Sequence, residues 1–261
     1  MDEAVGTAGG AAFRSRTRAR PRRRTSVIGV LGELLITAGV IVLLYVVWQL
    51  WVGDLIYGAE AKAESEQLSQ QWAQEYEPPA PEPTGEPEPA EAGVEPVLLP
   101  EPADAEVFGI MRIPRLGSDY AFQMAGGTSR ARTLDRTYIG HYPGTSMPGQ
   151  SGNFAVAAHR TTYGAPFNRI AELRVGDAIV VETPAGWYTY RFRTLDYVTP
   201  TQTEVLLPVP AAMDVPAGTP YITMTSCSPM FSLAERIVAY GVFESFTPID
   251  AGPPASLEAV V

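Results

Sequence analysis

The stretch "YITMTSCSPMFSLAERIVAYG", residues 221–241, contains two runs of β-branched and apolar residues separated by a proline-containing segment. Runs of this composition predict strands, and the "SPM" after Cys227 predicts the end of the first one. Cys227 is the only cysteine of the 261-residue chain, and Arg236 opens the second run nine residues later. The stretch therefore predicts two consecutive strands, with a thiol at the end of one and a guanidinium at the start of the next.

A lone cysteine has an ordinary interpretation, because cysteine is often buried and then packs as a small hydrophobe. Its position favours a chemical role instead. A residue at a strand end beside a loop is partly exposed and still held by a rigid sheet. A thiol placed there becomes a nucleophile where an imidazole or guanidinium favours the thiolate. One cysteine also excludes an intramolecular disulfide, so the domain depends on its own core.

Short strand-like runs punctuated by glycine and proline extend over residues 106–261. Besides the two runs above, the predicted strands lie in 107–117, 118–127, 153–162 and on both sides of the turn 183–186. The best helical pattern is 164–173. Short strands at this spacing predict a mostly all-β barrel or sandwich, and the missing strand–helix alternation argues against parallel α/β folds.

The chain has two histidines, and both precede the cysteine. His159 closes the strand-like "GNFAVAAHR", whereas His141 lies in the Gly/Pro-rich "YIGHYPGTSMPGQSGN". Histidine exchanges protons near neutral pH, and arginine stays charged and suits the stabilisation of an oxyanion. Cys227, His159 and Arg236 together predict acyl-transfer chemistry, although His159 alone is equally consistent with a buried structural histidine and Arg236 alone with a surface cation.

Other chemistries lack their sequence patterns. One cysteine and two histidines do not have the paired spacings of zinc sites, and neither an H-E-x-x-H nor a G-x-S-x-G motif is present. Residues 106–261 carry a net charge of −2 and no dense acidic loop, which argues against nucleic-acid and calcium binding. The sequence therefore predicts an enzyme without a metal or other cofactor.

The N-terminal part predicts a membrane anchor. An apolar run over residues 27–52 is long enough to cross a bilayer, and interfacial aromatics follow near its end. Seven arginines precede it, so the positive-inside rule places residues 1–26 in the cytoplasm and the C-terminal domain outside the cell. A cleaved signal peptide is the alternative, but its apolar region would be shorter.

Residues 53–105 are predicted to form an extracellular stalk. They are rich in proline and glutamate, and residues 59–105 carry a net charge of −11. Such a composition favours an extended, disordered chain, with a possible helix over 59–71. An acidic interaction tail is the other interpretation. The β-domain then covers 106–250, and 251–261 form a C-terminal tail.

Three features of this domain resemble the sortases, the cysteine transpeptidases of the Gram-positive cell surface. They are "AVAAHR" around His159, "TMTSC" ending at Cys227, and Arg236, in the family's chain order. The family's cysteine motif is usually T-L-x-T-C, from which this chain departs at Met224 and Ser226. The segment 140–167 is similar to the class E group of high-GC Gram-positive bacteria.

The resemblance implies an eight-stranded β-barrel with short helices and a specific reaction. Sortases cut a C-terminal sorting signal, such as LPxTG or LAxTG, between Thr and Gly, and pass the acyl chain to an amine. Cys227 would be the nucleophile, His159 the general acid/base and Arg236 the oxyanion stabiliser. Tyr142 and Thr225 are predicted to contact substrate. His141 matches a class E position and is predicted either to contact substrate or to have a structural role.

The implied partners are exported proteins that carry a sorting signal, a peptidoglycan precursor or pilin that supplies the amine, and the cell membrane. Two other functions remain open from the sequence. An exported cysteine peptidase would use the same Cys227 and His159 but release its product to water. A non-catalytic stalked β-domain would carry Cys227 as an inert thiol.

Overall fold

The computed structural model describes residues 26–48, 53–76 and 94–258, which fall into two compact units divided after Tyr45. The first unit contains most of helix α1, Val27–Val47. None of its side chains is buried, and its 21 residues are long and apolar enough to cross a membrane. The predicted anchor 27–52 thus coincides with a candidate spanning helix as far as Val47; the predicted cytoplasmic tail, apart from residue 26, and residues 49–52 lie outside the described residues.

The second unit is built on a closed β-barrel, which confirms the predicted fold class. Its strands close in the order β1-β2-β3-β4-β7-β8-β6-β5. All neighbouring pairs are antiparallel except β2 with β3 and β4 with β7. The strands are β1 Val107–Arg112, β2 Ala121–Gly126, β3 Ile139–His141, β4 Gly152–Ala157, β5 Ala178–Thr183, β6 Gly186–Val198, β7 Pro220–Ser228 and β8 Glu235–Pro248.

The barrel is filled by inward-facing apolar and aromatic side chains from most strands. Phe154, Tyr188 and Tyr190 are the largest fully buried ones, and Met124 and Ile222 pack in the same cluster. Alternating strand residues point to opposite faces, so one face of each strand supplies this core. The closed barrel leaves no strand edge unpaired and holds the strand ends in fixed positions.

The segment 164–173 was predicted as the best helix of the domain, and this prediction is wrong. Only Ile170–Glu172 form a single 3-10 turn. Tyr163 and Ala165 have positive φ values of 50° and 42°, which an α-helix does not allow. The Phe167 amide donates a hydrogen bond to the His159 carbonyl at 3.1 Å, so the chain folds back as a loop.

Helix α2, Gly53–Glu75, contains the helix predicted as an option over 59–71. The helix packs along the barrel, whereas the sequence predicted a free stalk for 53–105. Near its start, the Asp54 carboxylate accepts a hydrogen bond from the Thr162 amide at 2.9 Å. Further along, Lys62 pairs with Asp119 at 2.8 Å. These partners lie far away in the sequence, so composition alone does not reveal the docking of the helix.

Residues 94–105 also belong to the globular unit rather than to a free stalk. The Val97 carbonyl accepts a hydrogen bond from the Tyr188 hydroxyl at 2.5 Å, and the Leu99 carbonyl accepts one from the side-chain Nε2 of Gln150 at 3.2 Å. Asp104 forms an isolated bridge with β2. Of the predicted stalk, residues 77–93 lie outside the described residues.

A buried ion pair between strands β1 and β5 provides a stability test. Arg112 Nε lies 2.6 Å from Glu182 Oε2, and the side chains are only 15% and 2% exposed. Arg112 also pairs with Glu66 of α2 at 2.5 Å. We expect Arg112→Ala to lower the free energy of unfolding by about 3 kcal/mol, because it leaves the Glu182 carboxylate buried without its cation.

Urea denaturation of the purified chain measures this change. Arg132→Ala is the matched control, because its pair with Asp104 is 67% and 40% exposed. An exposed pair contributes about 1 kcal/mol or less. Equal losses in the two variants would show that the buried pair contributes no more to stability than the exposed pair does.

Candidate active site

The only thiol of the sequence, Cys227, lies near the end of β7, where β7 pairs with β8. Cys227 is the second-to-last residue of β7, partly exposed between the buried Ser226 and Ser228. Its directly opposite partner on the antiparallel strand β8 is Arg236. Directly opposite residues of two antiparallel strands place their side chains on the same face. The structure therefore brings the predicted nucleophile and the predicted oxyanion donor side by side.

The guanidinium of Arg236 is held by the turn that connects the two strands. Its Nη1 donates hydrogen bonds to the Leu233 carbonyl at 3.1 Å and to the Glu235 carbonyl at 2.9 Å. Such bonds restrict the rotamers of a long side chain. No other hydrogen bond holds this guanidinium among the described residues, so its remaining donors can bind a negatively charged oxygen.

His159 lies beside the same strand end. β4 pairs in parallel with β7, and Ala157 opposite Thr225 is the last pair of this ladder. The chain continues along β7, because the Ala158 amide donates to the Thr225 carbonyl at 3.2 Å and the Ser226 hydroxyl donates to the Ala158 carbonyl at 2.8 Å. His159 and Cys227 each lie two residues beyond the last pair, so continuing the same register would place them opposite each other. The three predicted residues thus gather at one end of three neighbouring strands.

A carboxylate that sequence analysis did not single out holds the ring of His159. Nε2 of this ring lies 2.8 Å from Asp135 Oδ1, and the ring stacks on Tyr163 with centroids 5.1 Å apart. The histidine side chain is 14% exposed. A carboxylate that accepts the Nε2 hydrogen fixes the ring and leaves Nδ1 to exchange protons. The sequence "TLDR" indicates only a turn. The contact between Asp135 and His159, 24 positions later, arises from the fold.

A second guanidinium lies on the other side of Cys227. Arg160 Nη1 is 3.5 Å from the Cys227 carbonyl, and its Nε donates to the Asn168 carbonyl at 2.8 Å. Burial lowers the pKa of Arg160 from its ordinary value, but an arginine still remains protonated. Sequence analysis missed this residue, although it directly follows His159. Two arginines therefore flank the thiol.

Tyr142 and Thr225, both predicted to contact substrate, lie together next to the thiol. Thr225 Oγ1 donates a hydrogen bond to the Val156 carbonyl at 3.3 Å and accepts one from the Tyr142 hydroxyl at 2.9 Å. Thr225 is two residues before Cys227 and shares its strand face. Tyr142 is partly exposed, so its ring forms part of the surface around the thiol.

The side chain of His141 lies in the core of the barrel. The residue is 1% exposed, and its ring stacks on Phe154 with centroids 5.4 Å apart. Nε2 lies 3.0 Å from Thr145 Oγ1 and 3.2 Å from the Ser146 carbonyl. The structure does not bring this ring together with Cys227, because β3 directs it between aromatic side chains. These contacts at the end of β3 favour the structural role, one of the two that the sequence leaves open for His141.

The buried ring of His141 predicts a pH dependence of stability. Burial lowers the pKa of His141, and Nδ1 has no hydrogen-bond partner among the described residues. The unfolded chain binds a proton here as the pH falls below about 6.5, whereas the folded chain resists it. We therefore expect the free energy of unfolding to fall between about pH 7 and about pH 5, by at most about 1.4 kcal/mol per pH unit from this group.

Urea denaturation of the chain at several pH values measures this slope. His141→Gln keeps an N–H donor but does not titrate, so the slope should become smaller in this variant. An unchanged slope would show that His141 does not contribute to it.

Several known proteins are similar to this chain. A family profile described as Sortase domain matches residues 111–244. Sortase SrtE1 of Streptomyces coelicolor is 33% identical over 252 residues, which cover 93% of this chain and 65% of that protein. Sortase SrtE2 of the same organism is 30% identical over 265 residues, which cover 98% of this chain and 96% of that protein. The chain thus spans about 65% of the length of the first relative.

Solved sortase structures share the fold, and two of them illustrate the similarity. Sortase E1 from Streptomyces coelicolor, solved with a tripeptide in its active site, has a TM-score of 0.55 at 36% identity, covering 60% of this chain and 99% of that one. The SrtA sortase from Actinomyces oris has a TM-score of 0.59 at 32% identity, covering 62% and 93%.

Proposed function

The chain belongs to the sortase family, and from this premise we propose that it is a cysteine transpeptidase that cleaves a sorting signal of the LPxTG or LAxTG type between Thr and Gly. The observation that carries the proposal is the convergence of Cys227, His159 and Arg236 at one end of β4, β7 and β8. This set supplies a nucleophile, a proton-transfer group and a fixed cation.

The first half-reaction forms a thioester. The Cys227 thiolate attacks the carbonyl carbon of the Thr residue, and the electron pair of the C=O bond moves to oxygen. The guanidinium of Arg236 stabilises this oxyanion. The oxyanion then collapses, the Thr–Gly C–N bond breaks, and protonated His159 donates its proton to the departing glycine amine.

The second half-reaction returns the enzyme to its starting state. The acceptor amine attacks the thioester carbonyl carbon, and neutral His159 takes the proton that the amine loses. The C–S bond breaks, Cys227 leaves as the thiolate, and a new amide joins the two substrates. Asp135, 2.8 Å from His159 Nε2, keeps the ring in one orientation during both proton transfers.

The substrates of this reaction follow from the same proposal. The acyl donor is an exported protein with a C-terminal sorting signal, and the acceptor is an amine of a peptidoglycan precursor or a pilin. Tyr142 and Thr225 would contact the donor next to Cys227. Sortase E1 of Streptomyces coelicolor was solved with a tripeptide in its active site, which supports peptide binding at the equivalent place.

Incubation of the purified chain with LPxTG and LAxTG peptides and a small amine, followed by mass spectrometry, tests this function. A transpeptidase yields the amine adduct, whereas a cysteine peptidase yields the free acid alone. Arg236→Ala should lower turnover by about 10²–10³-fold, as removal of an oxyanion donor does, and Arg236→Lys should not restore it, because an ammonium lacks the planar fork. A tenfold or smaller loss in Arg236→Ala would remove Arg236 from the mechanism.

We further propose that α1 anchors the protein with the N-terminus in the cytoplasm and the barrel outside the cell. The candidate span Val27–Val47 and the arginines that precede it in the sequence support this orientation. A protease added to intact spheroplasts should digest the barrel domain or its connection and spare an N-terminal epitope. Protection of the barrel would contradict the orientation.

A further inference from the structure

Four exposed apolar side chains surround the active-site end of the barrel, and we call them the apolar rim: Leu55, Met230, Phe231 and Leu233. Their exposures are 74%, 41%, 64% and 71%. Leu55 of α2 and the pair Met230–Phe231 line one cavity of about 620 Å³, so the two parts of the rim face the same space. Three of the four lie between Cys227 and Arg236 in the sequence. Exposed apolar side chains grouped in this way mark a binding surface.

The start of α2 is fixed to the same end of the barrel. Asp54 accepts a hydrogen bond from the Thr162 amide at 2.9 Å, and Thr162 is the third residue after His159. Four residues further along α2, the buried Gly58 packs directly against Gly164 of the same loop. The chain that precedes α2 therefore joins the globular unit beside the active site rather than at the opposite end of the barrel.

Chain length then limits the distance from this end to the membrane. The candidate span ends at Val47, and α2 begins at Gly53. Six residues reach at most about 22 Å when fully extended. If α1 spans the bilayer, as proposed above, the first turn of α2 lies within this distance of the hydrocarbon edge.

We propose that the active-site end of the barrel faces the membrane and that the apolar rim inserts into the lipid interface. This inference rests on the membrane anchoring proposed above. Leucine, methionine and phenylalanine are side chains that enter the interface readily. Charged groups lining the same cavity have partners of their own, since Lys62 pairs with Asp119 and Arg169 with Glu172. The contact is therefore apolar and requires no anionic lipid.

The inference specifies where the proposed enzyme works. Met230 and Phe231 follow Cys227 by three and four residues, so insertion of the rim holds the thiol close to the membrane surface. Substrates that are themselves attached to the membrane can then reach Cys227, whereas a long stalk would carry the thiol away from them. The surface recognised by the rim is a lipid bilayer.

Fluorescence quenching in liposomes tests this position with the full-length chain. In a Cys227→Ala background, which removes the only native thiol, Phe231→Cys is labelled with an environment-sensitive fluorophore. Met213→Cys is the matched control, because Met213 is 76% exposed and lies in the loop leading to Pro220, at the opposite end of β7. The liposomes are phosphatidylcholine with or without a nitroxide on the shallow part of the acyl chain.

The label at position 231 should lose most of its emission in nitroxide liposomes and be protected from iodide, whereas the label at 213 should show neither effect. Equal behaviour of the two labels in protein that stays with the liposomes after carbonate extraction would overturn the inference but not the anchor. Protein released by carbonate would overturn both. Iodide protection at 231 without lipid quenching would assign the rim to a second copy of the chain and overturn the lipid contact.

Discussion

We expect a chain with Cys227→Ala to form no thioester and no transfer product, because the proposed mechanism has one nucleophile and the sequence has no second thiol. Intact-mass measurement should detect an acyl-enzyme in the unmodified chain with peptide alone and none in the variant. Turnover should fall below detection in the same peptide and amine assay. The variant should keep its fold, since Cys227 is partly exposed and alanine leaves only a small gap.

Circular dichroism and thermal unfolding of Cys227→Ala provide the control, because an unfolded variant carries no information about chemistry. Cys227→Ser is the conservative partner, which keeps the shape of the side chain but replaces the thiol by a far weaker nucleophile. Residual transfer by a folded Cys227→Ala chain would contradict the assignment. Cys227 would then be the small hydrophobe of the ordinary interpretation.

His159→Ala should lower turnover by about 10²–10⁴-fold, the usual contribution of general acid–base catalysis, because the departing amine loses its proton donor. The measurement is the rate of adduct formation at saturating amine. If the donor peptide carries a good leaving group, that group departs without a proton from His159. An activated thioester donor should therefore show a smaller loss in the first half-reaction.

Variants of Asp135 separate proton transfer from the positioning of the ring. Asp135→Ala removes the acceptor 2.8 Å from His159 Nε2, whereas Asp135→Asn retains an oxygen at the same place. A hydrogen bond to a charged group contributes about 1.5–3 kcal/mol, and Asp135→Ala should therefore lower turnover by about tenfold or more. Asp135→Asn should lose less. A full rate in Asp135→Ala with His159→Ala still inactive would show that the carboxylate does not position the ring.

The strands and the candidate catalytic residues could be predicted because both depend on residue types and on patterns within short stretches of the sequence. Strands β1, β2, β4, β5, β6, β7 and β8 follow from local patterns of β-branched and aromatic residues bounded by glycine and proline, whereas β3 is three residues long and has no such pattern. The helix predicted over 164–173 failed because hydrogen bonding to the His159 carbonyl and positive φ values prevail over local propensity there. Rare residue types also carried information: one cysteine and two histidines left few candidates for the chemistry.

Features that could not be predicted from the sequence depend on contacts between residues that are far apart in the chain. The composition of residues 53–105 favours an extended chain, yet α2 and residues 94–105 pack on the barrel through partners up to 113 positions away, such as Ser69 with Glu182. The proximity of Asp135 to His159 depends on how the barrel closes, and local sequence does not indicate it. The packing of the His141 ring among aromatic side chains is likewise visible only in the fold, and it favours the structural role over substrate contact. Local propensity acts over a few residues, so the strands could be predicted from the sequence. The burial and pairing of distant residues depend on the folded barrel, so the surroundings of the site could not.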